Sequence, residues 1–363
     1  MSDAPVTVEL HPSHFGEARK PIASLGELRV EAFRYPSGVA ALGVTNGVGS
    51  LILLPFQGQQ IWDAEFHGRR LTMLSAFDEP RPTRDYLRTY GAFFIHCGGT
   101  SMGNPGPDDN HPLHGELPNL PFQNAQLVFG RDEAGCYVEM TGSARDTLAF
   151  HHDFVVRPRL RIREGASLLD MSVTVENRAP KPLPFLYLAH INFRPVDGGV
   201  LIDTVRDDAH DIALRAAELG PGESEAVRGY HAAVARDSSL HRTLAPGVPI
   251  EPELVLSMKA TSDADGWAHA MQRHPDGQAD FVSHRPSELP FAVRWITRAG
   301  ERDALGLVLP ATAPPDGLAA ATANDQLVWI GPGETFRTTM RFGALSASAS
   351  RDLESTIAAI RNR

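Results

Sequence analysis

The segment HPLHGELPN, residues 111–119, concentrates side chains that exchange protons or bind polar ligands. Two imidazoles, one carboxylate and one amide fall within these nine residues, at His111, His114, Glu116 and Asn119. Gly115 leaves room for a backbone turn that would direct the imidazole of His114 into a cleft. This composition indicates a polar site rather than part of a hydrophobic core.

A second segment, YLAHINFRP at 187–195, carries another histidine at the end of an apolar run. Side chains of a β-strand alternate between two faces, so His190 and Asn192 would project from the same face. Histidine suits proton transfer near neutral pH, because its unperturbed pKa of about 6.5 responds to small changes in environment. Together the two segments predict acid–base chemistry.

The same side chains are also of types that bind metal ions. Three or four of them converging on one ion would form an open site on a β scaffold, and the ion would polarise a carbonyl group. This alternative, a metal-dependent isomerase, uses His111, His114, Glu116 and His190.

Strands must position these residues, because period-two alternation and β-branched residues dominate the chain. The clearest predicted strands are LRVEAFRY, GVAALGVTN, GSLILLPFQGQQIWDAEFHGRRLT, AQLVFG, CYVEMTGSAR, FHHDFVVRPRLRIREG, SLLDMSVTVENR and ETFRTTMRFGAL. Helices are few, and residues 350–362 predict a short C-terminal amphipathic helix with Ser350 as its N-cap. The sequence thus predicts an all-β fold of long antiparallel strands.

The chain of 363 residues exceeds a typical domain, yet large all-β folds reach this size as one unit. No low-complexity segment, clean repeat or long linker divides it. We therefore expect one domain over residues 1–363, with its core at about 25–345. The run DEPRPTRDY, 78–86, is interpreted as a solvated loop.

The formal net charge of −10 disfavours nucleic acid and anionic membrane surfaces as partners, because both would repel the chain. The N-terminus lacks a basic segment followed by an apolar one, and no apolar run is long enough to span a membrane. We therefore expect a cytoplasmic protein. Cys97 and Cys136 are the only cysteines, and both are expected to be buried thiols. The oligomeric state stays open, with a homodimer as one alternative.

The segments HPLHGELPN and YLAHINFRP, with an earlier LPFQGQQIWDAEFHGR, resemble the galactose mutarotase-like superfamily, which contains the aldose 1-epimerases. The closer resemblance is to a less characterised bacterial branch, and it covers about residues 25–345. It implies a β-supersandwich of large antiparallel sheets with an active site in a cleft on one sheet face. It also implies that His114 is the first active-site histidine and that His190 is the general acid.

Such an enzyme opens a hemiacetal ring by protonating the ring oxygen while another group takes the proton of the anomeric hydroxyl. We expect no cofactor, and a small-molecule sugar as the partner. The predicted catalytic residues are His190, His114 and Glu116. The residues predicted to contact the sugar, through hydrogen bonds or aromatic packing, are His96, Asn119, Asn192, Asp109, Trp62, Asp63, Arg194 and Trp295.

One position departs from the superfamily pattern. The superfamily takes the anomeric proton with a glutamate from a late strand, but the matching segment here, LGLVLPATAPPDG, has Leu309 at that point. An aliphatic side chain cannot accept a proton, so Glu116 or Asp109 is expected to replace the glutamate. The metal-dependent alternative would then be a sugar isomerase. The missing glutamate also keeps a third alternative open, a carbohydrate-binding protein without catalysis.

Overall fold

The computed structural model describes residues 4–206, 208, 210–217, 219–220, 222–300 and 302–362. The strands before residue 165 are β1 Val6–Leu10, β2 Lys20–Leu25, β3 Leu28–Arg34, β4 Ala40–Thr45, β5 Gly49–Leu54, β6 Gln60–Phe66, β7 Arg69–Arg70, β8 Phe94–Gly99, β9 Asn124–Asp132, β10 Gly135–Leu148 and β11 His152–Arg163. The later strands are β12 Leu168–Asn177, β13 Leu183–Ile191, β14 Val200–Asp203, β15 Ile212–Leu214, β16 Ile250–Met258, β17 Ala268–Arg273, β18 Ala279–His284, β19 Phe291–Arg298, β20 Asp303–Ala311, β21 Val328–Ile330 and β22 Thr335–Leu345. The helices are α1 Glu225–Arg236, α2 Leu318–Ala323 and α3 Ala347–Arg361, and 3-10 helices cover Pro12–His14, Tyr86–Thr89 and Ser238–Arg242.

These strands form two large antiparallel sheets. The first sheet has nine strands, in the order β1-β9-β10-β11-β12-β22-β18-β17-β14. The second has thirteen strands, and its main path is β15-β16-β19-β20-β13-β8-β6-β5-β4-β3-β2, with β7 beside β6 and β21 beside β13. The predicted all-β fold of large antiparallel sheets is therefore confirmed.

Strand β12 illustrates why the sequence folds in this way. Its burial alternates residue by residue, so that an apolar set faces the core while a polar set faces outward. The buried set is Leu169, Met171, Val173 and Val175, and the outward set is Asp170, Ser172, Thr174 and Glu176. A shift of one residue in the pairing would exchange the two sets, so the pattern fixes the register.

The main hydrophobic core lies between the two sheets. Phe94 of β8 stacks on Phe342 of β22 with ring centroids 5.2 Å apart, which joins the second sheet to the first. Cys97 and Cys136 are buried free thiols, as predicted. Among the described residues, no helix is long and apolar enough to cross a membrane.

The C-terminal helix α3 packs on the first sheet through Ile357 and Ile360. Its N-cap is Ser346, whose hydroxyl accepts a hydrogen bond from the Ala349 N–H. The sequence had suggested Ser350 for this role, but Ser350 is buried inside the first turn. Ser346 has the extended backbone that an N-cap requires, so the helix begins earlier than predicted.

Four consecutive strands of the second sheet, β16, β19, β20 and β13, present one face to a cleft. Directly opposed residues of antiparallel strands project from the same face. The opposed pairs that define this face are Val255 with Trp295, Val293 with Leu309, and Leu188 with Ala311. His190 lies two residues beyond Leu188 on β13 and therefore shares the face.

Candidate active site

The cleft above this face has a volume of about 300 Å³. Its floor consists of side chains from the four strands, namely Leu188, His190, Val255, Val293, Trp295 and Leu309. Loops around the floor supply the walls, among them Tyr86, Leu87, Tyr90, Leu113, His114 and Pro315. Leu309, which the resemblance is expected to place where the superfamily has its glutamate, faces the same space as His114 and His190.

His114 reaches the cleft from a loop that docks on the end of β8. Its N–H donates to the Gly103 carbonyl at 3.0 Å, and its own carbonyl accepts from the Gly98 N–H at 2.8 Å. His114 and Gly115 both have left-handed backbones, with φ values of 61° and 77°. A Cβ at position 115 would lie 2.2 Å from the Ser101 carbonyl oxygen, so this close approach requires glycine.

His114 and His190 face each other in the cleft, with ring centroids 5.5 Å apart and nearly perpendicular planes. The Nδ1 atom of each ring is buried without a hydrogen-bond partner among the described residues. Burial lowers the pKa of His190 to about 4, although a hydrogen bond with Asn192 acts in the opposite direction. Burial, and then the neighbouring His190, lower the pKa of His114 well below its ordinary value. Both imidazoles are therefore mostly neutral at pH 7.

Three aromatic rings enclose the histidine pair. The Tyr86 ring lies 4.9 Å from His114, and the Tyr90 and Trp295 rings lie 5.7 Å and 5.4 Å from His190. These flat apolar surfaces give the cleft walls that can pack against the C–H face of a sugar.

The rim of the cleft is polar and carries charges of both signs. Its polar side chains are Asn104, Arg215, Glu253 and Arg302. Arg215 lies 3.8 Å from the Glu253 carboxylate and 3.4 Å from that of Asp316. The positive charge of Arg215 lowers the pKa of His114, although burial and the neighbouring His190 have larger effects. The negative charge of Glu253 raises the pKa of Tyr90, for which burial is the main cause. Both rim groups therefore act electrostatically on the residues around the histidine pair.

A family model described as a domain of unknown function, DUF4432, matches residues 36–344. The matched range includes every residue that lines the cleft. The chain belongs to the DUF4432 family. No curated protein matches the sequence of this DUF4432 chain.

Solved structures similar to the DUF4432 chain cover most of its length. A Klebsiella pneumoniae protein provisionally named aldose 1-epimerase matches with 15% identity and a TM-score of 0.82, over 99% of this chain and 96% of its own. A galactose mutarotase-like protein of Clostridium acetobutylicum has 14% identity and a TM-score of 0.60, over 88% and 98%. Galactose 1-epimerase of Lactobacillus acidophilus has 12% identity and a TM-score of 0.53, over 94% and 98%. The fold of the DUF4432 chain is therefore galactose mutarotase-like.

Glu116 does not share the cleft with His114, which corrects the placement expected from the sequence. Its carboxylate accepts hydrogen bonds from the Thr100 N–H at 2.8 Å and from the Thr100 hydroxyl at 2.5 Å. The expectation required an extended backbone between residues 114 and 116, whereas His114 and Gly115 form a left-handed turn. In this position the Glu116 carboxylate anchors the loop to the end of β8.

His96 also lies outside the cleft. On β8 it is paired with Ala189, while Ile95 is paired with His190, so the His96 side chain projects from the opposite face. Its Nδ1 is 2.8 Å from the Tyr187 hydroxyl, and burial in the core lowers its pKa to about 3. The placement of His96 as a cleft residue is corrected, because strand alternation sends it into the core.

Three more residues predicted to contact the sugar brace the backbone or neighbouring side chains instead. The Asp109 carboxylate accepts from the N–H groups of Gly106 and Ala319, both at 2.8 Å. The Asn119 side chain accepts from the Gln60 amide at 2.8 Å. The Asn192 amide donates to the Ala92 carbonyl at 2.9 Å, and its oxygen accepts from the Tyr90 hydroxyl at 3.2 Å. Only Asn192 is thereby connected to the cleft, through Tyr90 and His190.

The remaining predicted contact residues are divided between the core, the surface and the cleft. Trp62 is buried in the core, and Asp63 binds Arg70 at 2.8 Å near the surface. Arg194 lies 3.4 Å from Asp303 and lines a different groove. Trp295 is the one of this group that lines the cleft.

The ligands of the metal alternative do not converge. The Nε2 atom of His111 accepts from the Leu318 N–H at 3.4 Å, and its Nδ1 lies 2.9 Å from the Pro112 carbonyl. Glu116 is bound to Thr100, so only His114 and His190 of the four face one another. In the part of the chain that the structure describes, no three His, Cys, Asp or Glu side chains are grouped to hold a metal ion.

Sequence reasoning missed Tyr86, Tyr90, Arg215 and Glu253. Tyr86 was assigned to a solvated loop, yet it is buried against His114 in the 3-10 helix Tyr86–Thr89. Glu253 had a usable signal, because Glu253 and Val255 alternate with the buried Leu254 and Leu256 along β16. That alternation indicates a strand with one apolar face and one mixed face. It does not show which side of the sheet lines the cleft.

Proposed function

We propose that this DUF4432 protein is an aldose 1-epimerase-like isomerase that interconverts the anomers of a free monosaccharide by acid–base ring opening. The observation that carries the proposal is the pair of His114 and His190 rings, 5.5 Å apart in an aromatic-walled cleft of about 300 Å³. A cleft of this kind encloses a small polar ligand and presents proton-transfer groups to it.

His190 is the proposed general acid, which protonates the ring oxygen as the ring opens. Because burial lowers its pKa to about 4, the protonated form is scarce at pH 7 but releases its proton readily. His114 is proposed to hydrogen-bond a sugar hydroxyl, since its mostly neutral ring offers one donor and one acceptor. The rings of Tyr90 and Trp295 would pack against the sugar beside His190.

The named relatives support the same class of reaction. One similar structure is that of a galactose 1-epimerase, and another is that of a protein provisionally named aldose 1-epimerase. The cleft histidines match the motif positions on which the superfamily resemblance rests, at His114 and His190.

A second candidate, sugar binding without catalysis, is favoured by one specific observation. Leu309 faces the cleft where the superfamily places its glutamate, and its side chain cannot accept a proton. The two candidates differ in whether bound sugar exchanges anomers faster than free sugar does.

NMR magnetisation transfer between the two anomeric proton signals tests the proposal on a panel of free aldoses. We expect the wild-type protein to accelerate exchange for at least one sugar. His190→Asn should lower the enzymatic rate by about 100-fold to 10,000-fold, because the amide cannot transfer a proton. The matched control is His67→Asn, at an exposed turn whose φ of 54° asparagine accommodates.

Binding of sugars without acceleration of exchange would support the binding-only candidate. Acceleration that survives His190→Asn at near the wild-type rate would overturn the role proposed for His190.

A further inference from the structure

Among the described residues, none with a carboxylate lies on the floor of the cleft between His190 and Trp295. These residues lie on β13 and β19, and the strand between them, β20, contributes Leu309. A ring-opening enzyme still needs a group that takes the proton of the anomeric hydroxyl. In such an enzyme, a carboxylate from another strand would therefore have to reach the cleft.

Glu253 projects from the cleft face of β16, the strand next to β19. Val255 is opposed to Trp295, so these two side chains share the cleft face. The pairing of β16 with β19 is irregular between Ile250 and Leu254, but the Glu253 side chain lines the cleft together with Val255, while Leu254 between them is buried. The sheet thus carries a carboxylate two strands from the position of Leu309.

The surroundings of Glu253 connect it to the histidine pair. Arg215, at 3.8 Å, is its ion-pair partner, and the charge of Arg215 also acts on His114. Tyr90, whose ring contacts His190 and Trp295, experiences the charge of Glu253. The Glu253 side chain is 45% exposed, so a ligand in the cleft can reach its oxygen atoms.

The other candidate carboxylates are held elsewhere. Glu116 is bound to Thr100, and Asp109 is bound to backbone N–H groups. Glu251 pairs with Arg302 at 3.0 Å and does not line the cleft. Of the described residues that line the cleft, Glu253 is the only carboxylate.

We infer that Glu253 is the catalytic base of this protein, supplied by β16 in place of the late-strand glutamate. This inference rests on the proposed epimerase function. Strands β13 and β16 are three interstrand spacings apart, about 14 Å, and Glu253 is also offset along β16 from Ser257, the residue that the pairing places level with His190. Both side chains line the same cleft of about 300 Å³, so a sugar that contacts both of them would have to span the cleft.

The proton transfers balance over one cycle. The Glu253 carboxylate takes the proton of the anomeric hydroxyl, the bond between the anomeric carbon and the ring oxygen breaks, and the ring oxygen takes the proton of His190. Rotation about the bond next to the aldehyde then exposes its other face. The hydroxyl returns its proton to His190 as it attacks, and Glu253 returns its proton to the carbonyl oxygen.

Glu253→Gln tests the assignment, because the amide keeps the size of the side chain but cannot accept the proton. We expect the exchange rate at saturating sugar to fall at least about 100-fold, with the affinity for sugar changed only a few-fold. The affinity is measured separately by calorimetry. Glu251→Gln, two residues away on the same strand and outside the cleft lining, is the matched control and should keep the wild-type rate.

A second variant distinguishes a proton acceptor from a structural residue. Glu253→Ala should be partly rescued by added formate, because the exposed position admits a small carboxylate. A wild-type rate in Glu253→Gln, or a folded but inactive Glu253→Ala without rescue, would overturn the inference while leaving wild-type epimerase activity in place. If the wild-type protein exchanges no sugar, the proposed function fails instead.

Discussion

At the scale of single residues, desolvation decides what His190 can do. The ring is 4% exposed, and burial lowers its pKa from 6.5 to about 4. A neutral imidazole is already the dominant form at pH 7, so the acid required for ring opening is the minor form. The protonated fraction therefore falls about tenfold for each pH unit above the pKa.

The pH profile of kcat/KM should reflect this shift. Because kcat/KM reports the pKa values of the free enzyme, we expect it to fall by up to about tenfold per unit as the pH rises from 5 to 8. Anomer exchange measured at limiting sugar concentration across this range checks the expectation. A profile that is flat or rises towards pH 8 would show that the proton comes from another donor.

His96 and His190 show how far sequence reasoning reaches at this scale. Both lie in apolar strand segments, and both are buried with lowered pKa values. Their difference arises from cross-strand pairing, since Ile95 rather than His96 is opposed to His190. One strand alone shows which residues alternate, but the partner strand determines which face meets the cleft.

At the scale of elements, the loop that carries His114 depends on contacts to the end of β8 and to the segment that follows it. Glu116 provides two of them, through the N–H and the hydroxyl of Thr100. Gly98 and Gly103 provide two more, through the backbone of His114. The motif HPLHGELPN was recognisable in the sequence. Its left-handed turn at His114 and Gly115, however, directs the Glu116 side chain to Thr100 and not into the cleft as expected.

Replacing Glu116 by alanine should loosen this loop without removing a proton-transfer group. Each hydrogen bond to the carboxylate contributes at most about 1.5 to 3 kcal/mol to the free energy of unfolding. We therefore expect the variant to unfold at a lower denaturant concentration than the wild-type protein. Activity should fall through misplacement of His114, and formate should not restore it. Chemical denaturation and exchange assays check both points, and rescue of Glu116→Ala by formate would return Glu116 to the role of base.

The strand order of the second sheet explains why Glu253 escaped notice in the sequence. Glu253 is more than fifty residues from His190 along the chain. Strand β16 lies in the same sheet face as His190 because it pairs with β19, which pairs with β20, which pairs with β13. Such long-range pairings cannot be read from local alternation. The fold class was predictable because alternation is local, whereas the composition of the cleft was not.

At the scale of the whole molecule, buried neutral histidines link stability to pH. Burial lowers the pKa values of His96, His241 and His284 to about 3 and that of His190 to about 4. The unfolded chain protonates each histidine near pH 6.5, while the folded chain does not. Protons therefore favour the unfolded state from about pH 6.5 down to about pH 4 for His190 and to about pH 3 for the other three, and the fold should lose stability as the pH falls through this window.

Each such histidine contributes up to about 1.4 kcal/mol of lost stability per pH unit in this window. We expect His284→Gln to reduce the pH dependence of the free energy of unfolding by about this amount, since the amide does not titrate. Urea denaturation at several pH values between 4.5 and 7 checks the slope, with the exposed His67→Gln as the control. An unchanged slope in His284→Gln would contradict neutral burial of this ring.

In the proposed mechanism, the cleft on the second sheet holds a sugar between His190 and Glu253. A crystal structure of His190→Asn with a bound aldose tests it most directly, because asparagine cannot transfer the proton and is expected to leave the rest of the cleft intact. We predict the ring oxygen beside residue 190 and the anomeric hydroxyl at hydrogen-bond distance, about 2.6 to 3.2 Å, from the Glu253 carboxylate. A sugar bound outside this cleft, or with its anomeric hydroxyl turned away from Glu253, would contradict the account.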